Sequence, residues 1–317
     1  MSDTGAAAQY LIDHQIPQLV NELMEKLLAA KPLQPVPFLL NLLDSRAGYA
    51  VGPPTSAVVA PGQCVFGEDW SSAPLLAKVS ISHDTRVFTF GLPDANKPLG
   101  LSTCACLLAQ GGRDDTGNPV VRPYTPVSTN AMVGKFELMV KIYPQGKLSQ
   151  HMDAMGVGDT LNFKHIPFNV KTQYPFGKQK LGMFVGGTGI TPMLQALHAV
   201  LGTPGDTTVV SMLYGSRTEA DVLGKETLDG WCASHGHRLK VAHVLSHEPE
   251  GSAWRGERGF INKDLIAKYM PAPSDDCILF VCGPPPMYNA LCGPRDQKEL
   301  TGLLADMGYA AAQVYKF

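Results

Sequence analysis

The first regular pattern along the chain is an apolar stripe at helical spacing. Between residues 16 and 28, apolar side chains recur every three or four positions, with polar side chains between them. A proline-rich turn at 32–37 separates this stripe from a second, shorter one at 38–43. The pattern predicts an αα-hairpin over residues 1–46. Two short helices cannot bury their own apolar faces, so we expect the hairpin to pair with a second copy or with a neighbouring domain.

The next segment, residues 47–70, is interrupted by glycines and prolines and is almost without charge. Prolines stiffen a chain without folding it, so this composition predicts a semi-extended linker. Beyond it, apolar and polar residues alternate along short segments, of which Phe136 to Ile142 is the clearest. Short alternating strands between turns of glycine and proline predict an antiparallel β-barrel over residues 71–174.

The last part of the chain, residues 175–317, alternates between apolar strand-like runs and helical stretches. Strands are predicted at 181–185, 207–213, 240–244 and 278–281, and helices near 192–201, 219–235, 262–270 and 296–307. This alternation is typical of an α/β domain with a doubly wound parallel sheet. The chain is therefore predicted to be multidomain, with a helical hairpin, a β-barrel domain and an α/β domain in that order.

Composition narrows the function classes. With 317 residues, of which 44% are hydrophobic, the chain can form about two sizeable cores. A net charge of −2 argues against nucleic acid as the main partner. No apolar run is long enough for a membrane span, and the first residues lack the pattern of a signal peptide. The seven cysteines show no paired metal-binding spacing, which favours a reducing, cytoplasmic setting over a disulfide framework or a zinc site.

Two glycine-containing turns follow predicted strands of the last domain. Residues 186–193 (GGTGITPM) open a helix, where glycines let the main chain approach a ligand and free N–H groups can hold an anion. Taken alone, this turn fits a purely structural strand-to-helix connection equally well. Residues 282–287 (CGPPPM) follow another strand, and ligands of open parallel sheets bind outside the carboxyl ends of the strands. We therefore expect the two turns to flank one crevice, with the Cys282 thiol in that site rather than in the core.

The predicted barrel carries a second group of candidate ligand residues. Arg122 can bind a phosphate, and Tyr124 offers a flat ring for stacking. Hydroxyl groups follow at Thr125 and Ser128. Further along, a basic turn at 146–149 (GKLS) precedes a predicted helix. Together these residues suit a ligand of the size of a dinucleotide.

These motifs resemble those of the NADH–cytochrome b5 reductases, members of the ferredoxin–NADP reductase superfamily. The resemblance covers residues 71–317 and rests on the stretches ISHDTRVFTFGLP (81–93), VVRPYTPVS (120–128), VKIY (140–143), GKLSQHM (146–152), GGTGITPM (186–193), SRTEADVL (216–223), CGPPPM (282–287) and Phe317. It implies a flavoenzyme in which a hydride passes from NADH to FAD. Single electrons then pass to a haem protein, with cytochrome b5 as the expected partner.

The resemblance also implies roles for individual residues. Thr125, through a hydrogen bond near flavin N5, and Cys282, by positioning the nicotinamide, are the expected catalytic residues. Phe317 is expected to cover the flavin ring until the nicotinamide displaces it. The implied FAD contacts are Arg122, Pro123, Tyr124, Thr125, Ser128, Val140, Ile142, Tyr143, Gly146, Lys147, Leu148, Ser149, Thr191 and Phe317. The implied NAD contacts are Lys141, Gly187, Thr188, Cys282, Gly283, Pro284 and Met287, and no metal ligands are implied.

Two departures from the family pattern leave questions open. Cys104-Ala105-Cys106 stands where the family has Gly-Gln-His. On a strand both thiols would share one face, and buried thiols are favoured there over a metal site. The family's specificity aspartate is not evident, since Ser246-His247 occupies its region. Arg217 could hold a 2′-phosphate, so NADPH stays an alternative, although the SRTEADVL stretch favours NADH.

The N-terminal hairpin resembles a different family, the dimerisation/docking domain of the type II regulatory subunit of protein kinase A. The matching stretch is YLIDHQIPQLVNELMEKLLAAKPLQPVPFLLNLL (10–43). The resemblance implies a homodimer through residues 1–46 and a groove for the amphipathic helix of an anchoring protein. Such a module would tether a cytoplasmic enzyme, for instance in a cilium or flagellum. The alternative is an ordinary helical hairpin docked on the reductase.

Two other functions compete with the cytochrome b5 reductase hypothesis. One is a flavin reductase that serves another acceptor or uses NADPH. The other is a docking or scaffold protein whose reductase fold is not catalytic. The intact RPYTPVS, GKLS and CGPPPM motifs favour catalysis, because a scaffold has no need of them.

Overall fold

The structure is a computed structural model that describes residues 16–31, 35, 53–167 and 169–317. The chain divides into two compact units, residues 1–50 and residues 51–317. In the first unit, helix α1 spans Ile16–Ala30, over the first predicted apolar stripe. The second predicted stripe, at 38–43, lies outside the described residues, so the hairpin stays a prediction.

The second unit begins with an antiparallel domain, as the alternating pattern predicts. Its elements are β1 (Ser71–Ser80), β2 (Thr85–Gly91), β3 (Leu107–Arg113), β4 (Pro119–Tyr124), β5 (Lys135–Lys141), helix α2 (Lys147–Ala154) and β6 (Thr160–Lys164). The six strands form one curled sheet in the order β4-β3-β6-β1-β2-β5. We call this part the FAD domain, after the cofactor that the family resemblance implies for it.

Aromatic packing holds this curled sheet together. Phe66, Phe90, Phe136 and Phe163 are all buried, and their ring centroids lie between 4.9 and 5.8 Å apart. Burying one such side chain contributes about 2 kcal/mol through the hydrophobic effect. Three of these phenylalanines come from strands, whereas Phe66 comes from the segment that precedes β1.

The rest of the second unit is the predicted α/β domain, which we call the NAD domain. Its elements are β7 (Lys180–Gly186), α3 (Ile190–Gly202), β8 (Val209–Ser216), α4 (Lys225–His235), β9 (Leu239–Leu245), β10 (Glu257–Arg258), α5 (Lys263–Tyr269), β11 (Cys277–Cys282), α6 (Pro285–Leu291), α7 (Gly302–Asp306) and β12 (Val314–Lys316). All six strands are parallel, in the order β10-β9-β8-β7-β11-β12. The strand order reverses at β7, because β8 lies on one side of it and β11 on the other. The carboxyl ends of β7 and β11 are therefore where a ligand crevice is expected.

Three helices differ from the sequence prediction. The helix predicted near 219–235 begins only at Lys225, because Gly224 before it has a positive φ of 68°. A long helix near 296–307 was predicted, but α7 covers only Gly302–Asp306 of it. Gly302 itself has a positive φ of 71°, a conformation that does not continue a helix. No helix is predicted where α6 lies; it begins at Pro285, where the fixed φ of proline suits a first helical turn.

Residues 53–67, which lie within the predicted linker, pack along both domains of the second unit. Near α3, the N–H of Thr55 donates to Nδ1 of His198 over 3.0 Å. Near the curled sheet, the N–H of Val65 donates to the carbonyl of Leu99 over 2.9 Å. The part of the predicted linker that the structure describes is thus held to both domains by main-chain hydrogen bonds at Thr55 and Val65. No helix among the described residues is both long and apolar enough to cross a membrane.

Candidate active site

The two glycine turns of the NAD domain lie side by side, as the sequence predicts. Val185 and Cys282 are paired at the ends of β7 and β11, and the turns follow directly from them. A Cβ atom on Gly189 would overlap the carbonyl oxygen of Cys282. Only a glycine therefore fits at this position, because the two main chains are in contact there.

The surrounding residues fix the shape of these turns. Gly187 has a positive φ of 53°, and its carbonyl accepts a hydrogen bond from the Tyr214 hydroxyl at 3.0 Å. The Met287 sulfur packs against Gly186 and Gly283, where any larger residue would collide with it. Thr188 and Pro284 lie in the same two turns, and neither is buried. The predicted NAD-contacting residues of both motifs thus meet at one edge of the sheet.

Cys282 sits at the end of β11, between the two turns. Burial raises the pKa of its thiol to about 11, and the nearby Tyr288 hydroxyl only partly opposes this. The thiol therefore stays neutral at physiological pH. A neutral thiol suits the predicted positioning role, whereas a nucleophile would need the thiolate.

The end of β4, where the candidate FAD motif begins, is open to solvent. Arg122 and Pro123 are exposed, and the Arg122 guanidinium donates to the neighbouring carbonyl of Val121 over 2.8 Å. Among the described residues, no carboxylate forms an ion pair with Arg122, so its charge is available to an anion. Burial raises the pKa of Tyr124 to about 12, which keeps the hydroxyl protonated beside that charge.

A glutamine that the sequence analysis missed connects this loop to the NAD domain. The Gln195 amide, on α3, donates to the carbonyls of Pro126 and Ser128, both at 2.7 Å. Thr191 lies one helical turn earlier on α3 and therefore on the same face. The Ser128 hydroxyl accepts from the N–H of Glu137 over 2.9 Å, so this side chain stabilises the loop itself. Nothing local in the sequence marks Gln195, since its partners lie 67 and 69 residues away.

The second predicted turn forms the start of α2. Gly146 precedes the helix, and a Cβ there would collide with the Ser149 hydroxyl. That hydroxyl donates to the Gly146 carbonyl over 3.0 Å and accepts from the Tyr143 N–H over 3.2 Å. Leu148 is buried, and Lys147 forms an exposed ion pair with Asp115 at 2.8 Å. The turn is thus built to present main-chain N–H groups, which is what a phosphate requires.

The predicted cofactor contacts at the end of β5 and just after it differ in their exposure and in their partners. The Val140 side chain is 2% exposed and packs in the core, so only its main chain is available to a cofactor. Lys141 forms an ion pair with Asp84 at 2.6 Å. Ile142 is half-buried, whereas Tyr143 is 52% exposed. Strand β5 also lies against the turn that follows β7, which brings the two domains together at this point.

An ion-pair network lies next to Lys141 and joins the two domains. Nε2 of His83 is 3.3 Å from Asp84 and 3.8 Å from Asp221 of the NAD domain. Burial raises the pKa of Asp84, but hydrogen bonds from Lys141 and Thr85 outweigh it, so that the pKa is lowered overall. The ammonium group of Lys141, 2.6 Å from Asp84, already neutralises that carboxylate. We therefore interpret these residues as an interdomain contact and not as a metal site.

The two cysteines near β3 are arranged differently from the expectation. Both precede the strand, and Cys104 lies in a turn with a positive φ of 64°, so the two side chains do not share a strand face. The buried Cys104 thiol points at the Pro192 carbonyl, 3.1 Å away on α3. Cys106 is half-buried, and its sulfur accepts from the Asn169 amide at 3.3 Å. Each thiol therefore has its own partner.

The outer edge of the crevice is formed by the loops after β8, β9 and β10. Arg217 is exposed there, and Ser246 is held by a hydrogen bond of its hydroxyl to the Ser216 carbonyl at 3.2 Å. Phe260, which the sequence analysis missed, is 75% exposed. Its ring meets His247 edge to face, with 6.5 Å between centroids. An exposed aromatic ring at the carboxyl edge of a parallel sheet offers a surface for an adenine base.

The last residue, Phe317, lies against the same edge of the NAD domain. Its N–H donates to the Val281 carbonyl over 3.0 Å, which continues the pairing of β12 with β11. The half-buried ring packs on Phe280 and Tyr315, with centroid distances of 5.3 and 4.7 Å. If the register of this strand pair is continued by one residue, Phe317 lies level with Cys282.

These residues fit FAD on the chemistry of their groups. Arg122 supplies an unpaired positive charge, and the start of α2 supplies main-chain N–H groups, both of which suit a pyrophosphate. Tyr124 supplies a flat ring beside them. The individual contacts stay predictions. The class that the fold and site define is a two-domain oxidoreductase that binds a flavin and a nicotinamide dinucleotide.

Comparison with known proteins agrees with this class. The sequence profile of the oxidoreductase FAD-binding domain matches residues 72–167, and that of the oxidoreductase NAD-binding domain matches residues 183–293. The cytochrome b5 reductase domain of Ulva prolifera nitrate reductase is structurally similar, with a TM-score of 0.67 and 30% identity. The match covers 84% of this chain and all of that one.

Two curated relatives are closer in sequence. NADH-cytochrome b5 reductase 2 of Scheffersomyces stipitis is 39% identical over 255 residues, covering 79% of this chain and 84% of that protein. NADH-cytochrome b5 reductase 2 of Emericella nidulans is 36% identical over 302 residues, covering 91% and 92%. The chain therefore belongs to the NADH–cytochrome b5 reductase family, and it is an FAD- and NADH-dependent oxidoreductase.

Proposed function

We propose that this protein transfers electrons from NADH through FAD to cytochrome b5 or a similar haem protein. When bound, FAD accepts a hydride and releases electrons one at a time. The observation that carries the proposal is that three segments lie together: the Arg122–Ser128 loop, the glycine turn before α3 and the turn that begins at Cys282. The Arg122–Ser128 loop is tied to α3 by Gln195, and α3 itself begins at the glycine turn that touches Cys282.

Some residues of this crevice bind the FAD, and others orient the nicotinamide. Arg122 and the start of α2 hold the pyrophosphate, while Tyr124 packs on the flavin. Thr125, next to Tyr124, offers its hydroxyl to the flavin ring. On the other side, the close contact between Gly189 and Cys282 holds the nicotinamide at a fixed distance, and such positioning lowers the barrier to hydride transfer.

A single anaerobic titration tests the proposal. The purified protein should bind FAD and be yellow, NADH should bleach it, and added cytochrome b5 should then reoxidise it. NADH should give a higher kcat/KM than NADPH. Protein that takes up no FAD would support the scaffold hypothesis instead, and bleached protein that does not reduce cytochrome b5 would point to another acceptor.

We also propose that residues 1–46 form a homodimer that docks the amphipathic helix of an anchoring protein. In support, helix α1 exposes three apolar side chains four residues apart, Val20, Met24 and Leu28, to 49%, 47% and 64%. An apolar stripe of this kind is favourable only when another surface covers it. Such a module would tether the enzyme in the cytoplasm, for instance in a cilium or flagellum.

Sedimentation of full-length variants tests the dimer. Met24→Glu with Leu28→Glu places charges on the stripe and should convert dimer into monomer while leaving flavin reduction unchanged. Ala29→Glu is the control, because Ala29 is exposed on the same helix and points about 140° away from Met24, the centre of the stripe. A wild-type monomer would contradict the dimer proposal.

A further inference from the structure

A buried tyrosine holds the main chain of the last residue in place. Tyr288, on α6, is 3% exposed, and its hydroxyl lies 2.6 Å from the carbonyl oxygen of Phe317. The same hydroxyl lies 3.1 Å from the carbonyl oxygen of Val281. A phenol has one proton, so it donates to one oxygen at a time, and the shorter distance favours Phe317.

The hydroxyl therefore stands where three parts of the site meet. Val281 O also accepts the N–H of Phe317, which closes the end of the strand pair β11–β12. The residue after Val281 is Cys282, so the hydroxyl lies beside the strand end that carries the thiol. Burial raises the pKa of Tyr288, so the phenol keeps the proton that this arrangement needs.

We propose that Tyr288 is a positioning residue that fixes the Phe317 ring as an ordered competitor of the nicotinamide. The inference rests on the proposed function and on the role that the family resemblance implies for Phe317, which is to cover the flavin until the nicotinamide displaces it. A ring whose main chain is held at both its N–H and its carbonyl has little freedom to swing away. The Phe317 ring therefore competes more strongly for the flavin face than it would on a main chain without these hydrogen bonds.

The consequence is a specific pattern of ligand affinities. Without the phenolic hydroxyl, the Phe317 main chain keeps only its N–H hydrogen bond to Val281, so the ring leaves the flavin face more easily. NAD+ should then bind more tightly, since it no longer displaces an ordered ring. ADP-ribose lacks the nicotinamide and does not compete with Phe317, so its affinity should not change.

The experiment compares two tyrosine variants of the full chain loaded with FAD. Tyr288→Phe removes the hydroxyl but keeps the ring. Tyr309→Phe is the matched control, because Tyr309 belongs to the same apolar cluster, is 5% exposed and also donates to a main-chain carbonyl, that of Pro271, at 2.6 Å. Both variants should lower the thermal unfolding temperature to a similar extent.

Binding of NAD+ and of ADP-ribose is then measured by calorimetry. We expect Tyr288→Phe to lower the NAD+ dissociation constant about threefold to tenfold, the range of one hydrogen bond, with ADP-ribose unchanged. Tyr309→Phe should leave both constants at the wild-type values. Equal constants for the two variants, or a parallel change for both ligands, would show that Tyr288 is merely structural.

A double-mutant cycle makes the test specific to Phe317. Phe317→Ala should by itself tighten NAD+ binding, and Tyr288→Phe added to it should have no further effect. An undiminished effect of Tyr288→Phe in that background would overturn the proposal. Failure of the proposed function would look different, since wild-type protein would then bind no FAD or fail to bind NAD+ at all.

Discussion

The two sides of the crevice are built on different physical principles. On the NAD side, main chains touch, and the Gly189–Cys282 contact leaves no room for a methyl group. On the FAD side, Arg122 is exposed and projects a charge that no carboxylate among the described residues neutralises. One side therefore recognises its ligand by shape and the other by charge. Substitutions on the NAD side should accordingly change the rate of flavin reduction, whereas substitutions on the FAD side should change the affinity for FAD.

The largest effect is expected on the side that works by shape. Gly189→Ala forces the ends of β7 and β11 apart, because the new methyl group overlaps the Cys282 carbonyl. A displacement of about 1 Å at a reacting centre costs about 100-fold in rate, and we expect that loss in flavin reduction by NADH. Stopped-flow measurement under anaerobic conditions gives the rate.

Gly230→Ala is the control for this prediction. Gly230 lies within helix α4, and a Cβ there meets nothing within 4 Å. Alanine in a helix interior is favoured over glycine by about 1 kcal/mol, so this variant should be slightly more stable and fully active. Similar rates for the two variants would show that contact between the two turns does not set the geometry.

The second effect concerns charge. Arg122→Ala should raise the dissociation constant of FAD by about 10- to 100-fold, which corresponds to the loss of one charged hydrogen bond of about 1.5–3 kcal/mol. The rate of flavin reduction at saturating FAD should change little, since the geometry of the NAD side is untouched. Fluorescence titration of the apoprotein with FAD measures the affinity.

Arg113→Ala is the matched control for the charge. Arg113 is also exposed in the FAD domain, and it donates to the Gly117 carbonyl at 2.6 Å within the turn between β3 and β4. Removing it changes the net charge equally. Equal losses of FAD affinity in both variants would mean that a general field, rather than a contact at Arg122, attracts the cofactor.

The shape-dependent turns of the NAD domain and the charged Arg122 motif could both be predicted from the sequence, because each leaves a local pattern. Glycines beside strand ends and an arginine in RPYTPVS are readable without a structure, and the relative order of the domains followed from periodicity. Gln195 and Tyr288 left no such pattern, since they bind main-chain carbonyls, which every residue possesses. The packing of residues 53–67 was equally unpredictable, because it uses the main-chain N–H of Thr55, a group that almost every residue has, and its partner His198 is 143 positions away.

A third prediction extends the comparison to the outer edge of the NAD side. Phe260→Ala removes an exposed ring that we assign to the adenine, and loss of one stacking contact of about 1 kcal/mol should raise KM for NADH about fivefold. The limiting rate of flavin reduction should not change, because the nicotinamide end is unaffected. Val209→Ala, which removes a 42% exposed apolar side chain at the amino end of β8, is the control. A fall in the limiting rate without a change in KM would place Phe260 elsewhere.

The smallest effect concerns the thiol between the two sides. Because burial raises the pKa of Cys282 to about 11, the thiol is neutral in the folded protein at every pH from 6 to 9. The limiting rate of flavin reduction should therefore stay flat over that range as far as Cys282 is concerned.

The raised pKa of Cys282 makes the stability of the fold, unlike the rate, depend on pH. An unfolded thiol ionises near pH 8.5, whereas the folded one does not. The contribution of Cys282 to stability is thus complete below pH 8.5 and declines as the pH rises towards 11. Cys282→Ser should remove this decline, and an inflection in the wild-type rate between pH 7 and 9 that Cys282→Ser abolishes would instead identify a reactive thiolate.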